Sequence, residues 1–153
     1  MKKFTVHMLM AGALAAGTWG IASAKDSDMR TAFQPQEGTA CTLETLRGSY
    51  LFAGSGFNIV GGVAQPKAVQ NALEFNGDGT LTVPAQTLSL NGNIIRGPGN
   101  PGNYTVEADC RGLLVFRDGP SFDIVVALDR KTVWMFQTNP NTVFQGTATR
   151  LKR

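Results

Sequence analysis

The side chains of this sequence that could carry chemistry are mainly carboxylates and aromatic rings. Three carboxylates, Glu74, Glu107 and Asp123, fall inside segments of strand-like composition. A carboxylate enclosed by apolar side chains has a raised pKa and can act as a general base without a cofactor. The alternation of residue types sets Glu74 and Asp123 opposite the apolar stripes of their own segments. A solvated outer face is therefore the alternative to a catalytic site.

The N-terminus has the pattern of a secretory signal peptide. Lys2 and Lys3 precede an apolar stretch over residues 4–21, and the small residues of Ala22-Ser23-Ala24 follow it. A retained membrane anchor is the weaker alternative, because the stretch is short and ends in a small-x-small cleavage pattern. We predict a bacterial signal peptide over residues 1–24, cleavage after Ala24, a periplasmic or secreted protein, and no membrane span after cleavage.

Removal of this leader changes which functions the composition allows. The single histidine, His7, lies in the leader, so the mature chain has no imidazole for a Ser-His-Asp triad or a histidine-containing metal site. Loss of Lys2 and Lys3 lowers the net charge from +3 to +1. The remaining arginines are scattered, which argues against nucleic-acid binding. The sequence indicates no cofactor and no metal.

Two short motifs have a structural interpretation and a chemical one. Cys41 and Cys110 are the only cysteines, and in an oxidising compartment they have one possible intramolecular pairing, so we predict a disulfide rather than a redox pair. The segment Asn76-Gly77-Asp78-Gly79 resembles part of a calcium loop but lacks its carboxylate count. We predict a tight hairpin turn there.

The rest of the chain alternates between β-rich runs and short turn signals. None of the short turns has room for a crossover helix, so consecutive strands must be antiparallel neighbours. This pattern predicts an all-β fold, an eight-stranded antiparallel up-and-down barrel, with a two-sheet β-sandwich as the alternative. The predicted strands are 49–57, 68–75, 80–90, 103–109, 112–117, 121–128, 132–138 and 142–151.

Two glycine-rich segments, 58–67 and 91–102, are predicted as long loops beside the ligand or partner surface. Residues 25–40 are polar and small, which predicts a flexible N-terminal arm. Residues 41–153 then form a single barrel domain. After Cys41, residues 42–46 suggest one helical turn that plugs an end of the barrel.

Aromatic residues recur along the predicted strands. An eight-stranded barrel is just wide enough to be filled by side chains or to hold one small ligand. The rings therefore either form the core or line a cup, and small residues such as Gly54 and Gly146 hint at a cavity. On the second interpretation the ligand-binding residues are Tyr50, Phe52, Phe122, Trp134 and Phe136.

Four segments also carry a family resemblance: L-R-G-S-Y-L-F, F-N-G-D-G-T-L-T, Y-T-V-E-A-D-C-R-G and Q-T-N-P-N-T-V-F-Q-G-T-A-T-R. Together they resemble a group of small secreted proteobacterial proteins without an assigned function. That group is similar to calycin-type and allene-oxide-cyclase-like barrels. The resemblance implies a small β-barrel that binds an apolar molecule, with isomerase or cyclase activity in some members, and it carries over no catalytic residue.

Three functions follow as expectations. The first is an exported barrel that binds a small hydrophobic molecule. The second is a cofactor-independent isomerase, cyclase or lyase with a buried carboxylate. The third is a secreted or envelope-associated interaction or antigenic protein whose glycine-rich segments contact a partner. The oligomeric state is left open by the sequence.

Overall fold

The computed structural model describes residues 40–152. The predicted signal peptide 1–24 and, except for Ala40, the predicted arm 25–40 lie outside these residues. No helix among the described residues is long and apolar enough to cross a membrane. The elements are a 3₁₀ helix over Leu43–Leu46 and eight strands, β1 (Gly48–Val60), β2 (Val63–Phe75), β3 (Thr80–Leu90), β4 (Asn93–Tyr104), β5 (Arg111–Phe116), β6 (Ser121–Val126), β7 (Thr132–Gln137) and β8 (Thr142–Arg150).

The eight strands form one closed barrel. Each strand pairs antiparallel with the next, and β8 returns to pair with β1 from Tyr50↔Arg150 to Asn58↔Thr142. The predicted all-β, up-and-down barrel is therefore confirmed, and the sandwich alternative is excluded. Closure gives every strand a neighbour on both sides over at least part of its length.

Short turns with left-handed residues make this meander possible. Asp118, Arg130 and Asn141 have φ angles of 52°, 54° and 57° in the turns after β5, β6 and β7. The predicted hairpin between β2 and β3 is also confirmed. Within it, Asp78 Oδ1 accepts hydrogen bonds from the Thr80 backbone N–H at 2.9 Å and from Thr80 Oγ1 at 2.7 Å. The carboxylate of the calcium-like segment is thus engaged in shaping the turn.

The two segments predicted as long loops are strands, so that prediction was wrong. β1 and β2 continue outward until Val60 pairs with Val63, and β3 and β4 continue until Leu90 pairs with Asn93. Two-residue turns join them, Gly61-Gly62 and Asn91-Gly92, and all four residues have positive φ. Such turns match the twist of a hairpin. β1 to β4 consequently extend past the start of β8. The fourth strand, predicted over 103–109, is Asn93–Tyr104 in the structure.

One end of the barrel is closed by the 3₁₀ helix. Leu46 is fully buried, and the Thr42 backbone N–H donates to Thr45 Oγ1 at 2.9 Å, as the predicted helical turn requires. Beneath it, the Phe75 ring contacts Tyr50 and Tyr104 in edge-to-face geometry, with centroids 5.1 and 5.0 Å apart. These aromatic contacts pack this end of the barrel.

Polar groups and a covalent link hold the plug in place. Arg150 donates from Nε to Tyr50 Oη at 2.9 Å and from Nη2 to the Thr45 carbonyl at 2.6 Å. The predicted disulfide is confirmed, since Cys41 and Cys110 are bonded with their Cα atoms 5.0 Å apart. The link ties the residue just before the plug to the turn that precedes β5.

Candidate functional site

The opposite end of the barrel is open and contains a cavity of about 270 Å³. Its rim is formed by Pro98, Gly99 and Asn100 of β4 and by the turn 118–120 between β5 and β6. The volume lies just under the range of about 300–1,000 Å³ that is typical of sites for drug-sized ligands. The cavity therefore suits a smaller molecule. Its apolar wall consists of Phe52, Val69, Val83, Leu88, Phe116, Phe122 and Phe144.

Lys67 is the cation of this cavity. Its position on β2, opposite Gly56 of β1, turns the side chain inward. Nζ donates to Gln137 Oε1 at 2.9 Å and lies 4.4 Å from the centroid of the Phe144 ring. Burial lowers the pKa of Lys67 below its usual value of 10.5, because the half-buried ammonium has lost part of its hydration.

Gln137 is oriented by a chain of hydrogen bonds behind it. Its side chain is buried, and Nε2 donates to Asn139 Oδ1 at 3.1 Å. The same Asn139 oxygen accepts from the Ser121 backbone N–H at 2.7 Å. Because the donor end of the Gln137 amide is engaged, its acceptor end is directed towards Lys67. The ammonium is thus held against the β7–β8 side of the cavity.

Asn71 is a further polar group of the cavity wall, which also includes Gln86, its cross-strand partner on β3. Asn71 lies four residues beyond Lys67 on β2, and only 7% of its surface is exposed. Its Oδ1 is buried and finds no hydrogen-bond partner among residues 40–152. A buried carbonyl without a donor costs about 1–3 kcal/mol. Such a group is rare in a folded protein, and here it belongs to a residue that lines the cavity.

The five residues predicted to bind a ligand occupy three different places. Phe52 and Phe122 line the cavity. Tyr50 belongs to the closed end, where burial raises its pKa and Arg150 occupies its hydroxyl. Trp134 and Phe136 lie on the outer face of β7 and are 61% and 54% exposed. The inner positions of that strand belong instead to its odd-numbered residues.

The carboxylates considered as catalytic bases lie outside the cavity. Glu74 accepts a hydrogen bond from Ser49 Oγ at 2.9 Å, whereas Glu107 and Asp123 are exposed. The carboxylate that does border the cavity is Asp118, an exposed residue of the rim. The structure therefore brings a lysine, an asparagine and four phenylalanines together around the cavity. None of the three carboxylates expected from the sequence lines it.

The glycines that suggested free space in the sequence have a different function. A Cβ on Gly54 would lie 2.7 Å from Phe144 Cζ, and a Cβ on Gly146 would lie 2.6 Å from Phe52 Cε2. These positions are occupied by rings that pack directly on the backbone of β1 and β8. The glycines let the two phenylalanines lie against the wall, and the cavity opens beyond them.

Sequence reasoning overlooked Lys67 and Asn71, although a signal was present. In the sequence, Val69, Leu73 and Phe75 form one apolar stripe at odd-numbered positions, and residues 67 and 71 are odd-numbered too. In a strand, residues of equal parity share a face. Lys67 and Asn71 each lie two residues from Val69. The apolar stripe that contains Val69 therefore places both polar side chains inside the barrel.

Fold and site together define a small eight-stranded up-and-down barrel, closed by a plug at one end and open to a cavity at the other. This architecture is consistent with a calycin-like barrel. No protein-family model matches the sequence, and no curated protein is significantly similar to it. The functional argument therefore depends on the geometry of the cavity.

Proposed function

We propose that this chain is an exported binding protein that holds one small, mainly apolar molecule in the open-end cavity. The observation that carries the proposal is Asn71, a residue that lines the cavity and whose buried Oδ1 has no partner in the described part of the chain. Four phenylalanine rings supply the apolar contacts. A ligand that offers a hydrogen bond to the Asn71 amide would remove the cost of the unpaired group.

The disulfide and the predicted signal peptide support the export part of this proposal. Disulfides persist in the periplasm and outside the cell, and they are rare in the cytosol. Cys41 and Cys110 are bonded, and the described residues include no free cysteine. The resemblance to secreted calycin-type and allene-oxide-cyclase-like barrels agrees with both export and an apolar ligand. It supports the proposal that this chain is a binding barrel of that kind.

The proposal is tested by titrating the oxidised, isotope-labelled chain with the neutral probe 3-phenylpropan-1-ol and following the amide NMR signals. We expect saturable shifts at Val69, Val83 and Phe122. Val69→Phe fills the cavity and should weaken binding about tenfold or more, which corresponds to 1.4 kcal/mol. Val115→Phe is the matched control, because Val115 faces outward on β5. Equal binding by both variants, or shifts confined to the outer face, would contradict the proposal.

A specific observation also favours the interaction alternative. Phe57 and Val143 are direct cross-strand partners, both are exposed, and together with Phe136 they border a shallow depression on the outer face of the barrel. Contiguous exposed apolar side chains often mark a protein interface. Sedimentation of the wild type and of Phe57→Ser over a range of concentrations tests for self-association through this patch. A monomer in both cases would remove self-association as an explanation.

A further inference from the structure

We propose that the ligand is a small aromatic acid whose carboxylate pairs with Lys67 and whose far end carries a hydroxyl that pairs with Asn71. The inference rests on the proposed function and deepens it. It starts from the position of a positive charge inside a cavity whose wall is mainly apolar. A charge that has left water is stabilised when an opposite charge and hydrogen bonds replace the lost hydration.

Lys67 has no anionic partner in the described part of the chain. The two ion pairs of residues 40–152 join Arg47 to Glu44 and Arg111 to Asp109, and both lie elsewhere on the surface. Asp118 borders the same cavity but forms no ion pair with Lys67. The ammonium therefore keeps its charge half-buried, with one amide oxygen and one aromatic face as its contacts.

The elements packed around Lys67 present neutral residues to it. Its cross-strand partners are Gly56 on β1 and Leu90 on β3, and its contacts across the barrel are Gln137 and Phe144. An ammonium has three N–H donors, and the hydrogen bond to Gln137 uses one of them. Two donors remain for the oxygens of a bound carboxylate. Asp118, at the rim, would disfavour a second negative charge, which favours a monoanion.

The spacing along β2 sets the form of the ligand. Lys67 and Asn71 share the inner face and are four residues apart, which corresponds to about 13 Å between their Cα atoms. Val69 lies between them, and the rings of Phe52 and Phe122 border the same space. A molecule that spans the two polar side chains needs a polar group at each end and an apolar, flat middle. A hydroxyphenyl group on a short acid chain meets this description.

The experiment compares three probes on the oxidised chain by isothermal titration calorimetry at pH 7. The probes are 3-phenylpropan-1-ol, 3-phenylpropanoate and 3-(4-hydroxyphenyl)propanoate. The first pair differs in charge, and the last pair differs in the hydroxyl. We expect the acid to bind about tenfold more tightly than the alcohol, because a hydrogen bond to a charged group is stronger than one to a neutral group. The hydroxyl should add a further, smaller increase.

Two variants assign these differences to residues. Lys67→Met keeps an unbranched apolar stem and should remove the preference for the acid while the alcohol still binds. Lys131→Met is the matched control, because the Lys131 side chain is exposed and lies outside the cavity. Asn71→Leu should remove the gain from the hydroxyl and leave the preference for the acid intact.

The pH dependence gives a second readout. The preference for the acid should disappear as the pH rises through the pKa of Lys67, and burial places that point below the ordinary lysine value. If no probe binds the wild type, the proposed function fails, and this inference fails with it. If alcohol and acid bind equally, or if Lys67→Met keeps the preference for the acid, the cavity remains a binding site and the acid assignment is overturned.

Discussion

Replacing Asn71 by leucine should stabilise the ligand-free protein. Leucine has nearly the same shape as asparagine, and the change removes a buried Oδ1 that no donor in the described residues reaches. The unpaired group costs about 1–3 kcal/mol. The side chain borders a cavity that can admit water, so we expect the lower part of that range, about 1–2 kcal/mol. Most substitutions destabilise a protein, which makes the expected sign distinctive.

Urea unfolding of the oxidised protein at pH 7 measures this effect. With a slope of about 1.5 kcal/mol per molar urea, the midpoint of Asn71→Leu should rise by about 1 M while the slope stays constant. Asn103→Leu is the matched control, because Asn103 is exposed on β4 and its replacement should change stability by less than about 0.5 kcal/mol. If Asn71→Leu lowers the midpoint while the control does not, the amide is hydrogen-bonded in solution. The unpaired-acceptor argument for the binding site would then be refuted.

Three further predictions concern the closed end and the turns. Leu46→Ala should lower the free energy of unfolding by about 3–5 kcal/mol, because Leu46 is fully buried. Leu113→Ala, at an exposed position, should change the free energy of unfolding little, and urea unfolding of both variants makes the comparison. Reduction of the disulfide, which joins residues 69 positions apart, should cost about 4 kcal/mol in the same assay, and an unchanged midpoint would show that the plug holds without it. A hydrogen bond from the Lys131 backbone N–H holds the pKa of Asp129 below 3.8. The contribution of the Asp129 carboxylate to the free energy of unfolding is therefore present above about pH 4 and is lost as the pH falls through the lowered pKa. Asp129→Asn should flatten the acid side of the plot of stability against pH, and an unaltered plot would contradict the assignment.

The barrel could be predicted because its local signals agree with one another. Turns such as Asp118-Gly119-Pro120 are too short for a crossover, and alternation along β6 places Phe122, Ile124 and Val126 on one face, as observed. The error concerned segments rich in glycine and proline. Gly61-Gly62 and Asn91-Gly92 were included in long loops, although each is a two-residue turn between paired strands. Glycine content alone did not separate a tight turn from an irregular segment.

The site was only partly predictable, and β7 shows why. Residues 133 to 136 are all apolar, so alternation offers two equally good faces for this strand. The choice is made by pairing with β6, where Val126 lies opposite Val133 and Ile124 lies opposite Met135. Val126 and Ile124 face the core, and directly paired residues of neighbouring strands point to the same side of the sheet. Val133 and Met135 therefore face the core as well. Trp134 is therefore exposed, a result that requires the register between strands and does not follow from one strand alone.

The two ends of the barrel treat polar groups in opposite ways, and this contrast links the fold to the proposed function. At the closed end, Arg150 satisfies the Tyr50 hydroxyl and the Thr45 carbonyl, and the Tyr104 hydroxyl donates to the Leu43 carbonyl at 2.9 Å. At the open end, no residue between 40 and 152 pairs with Asn71 Oδ1 or serves as a counterion to Lys67. A sequence able to pair its polar groups at one end has no general need to leave others unpaired. Local departures from good pairing are expected where a protein binds something, and here both departures border the same cavity.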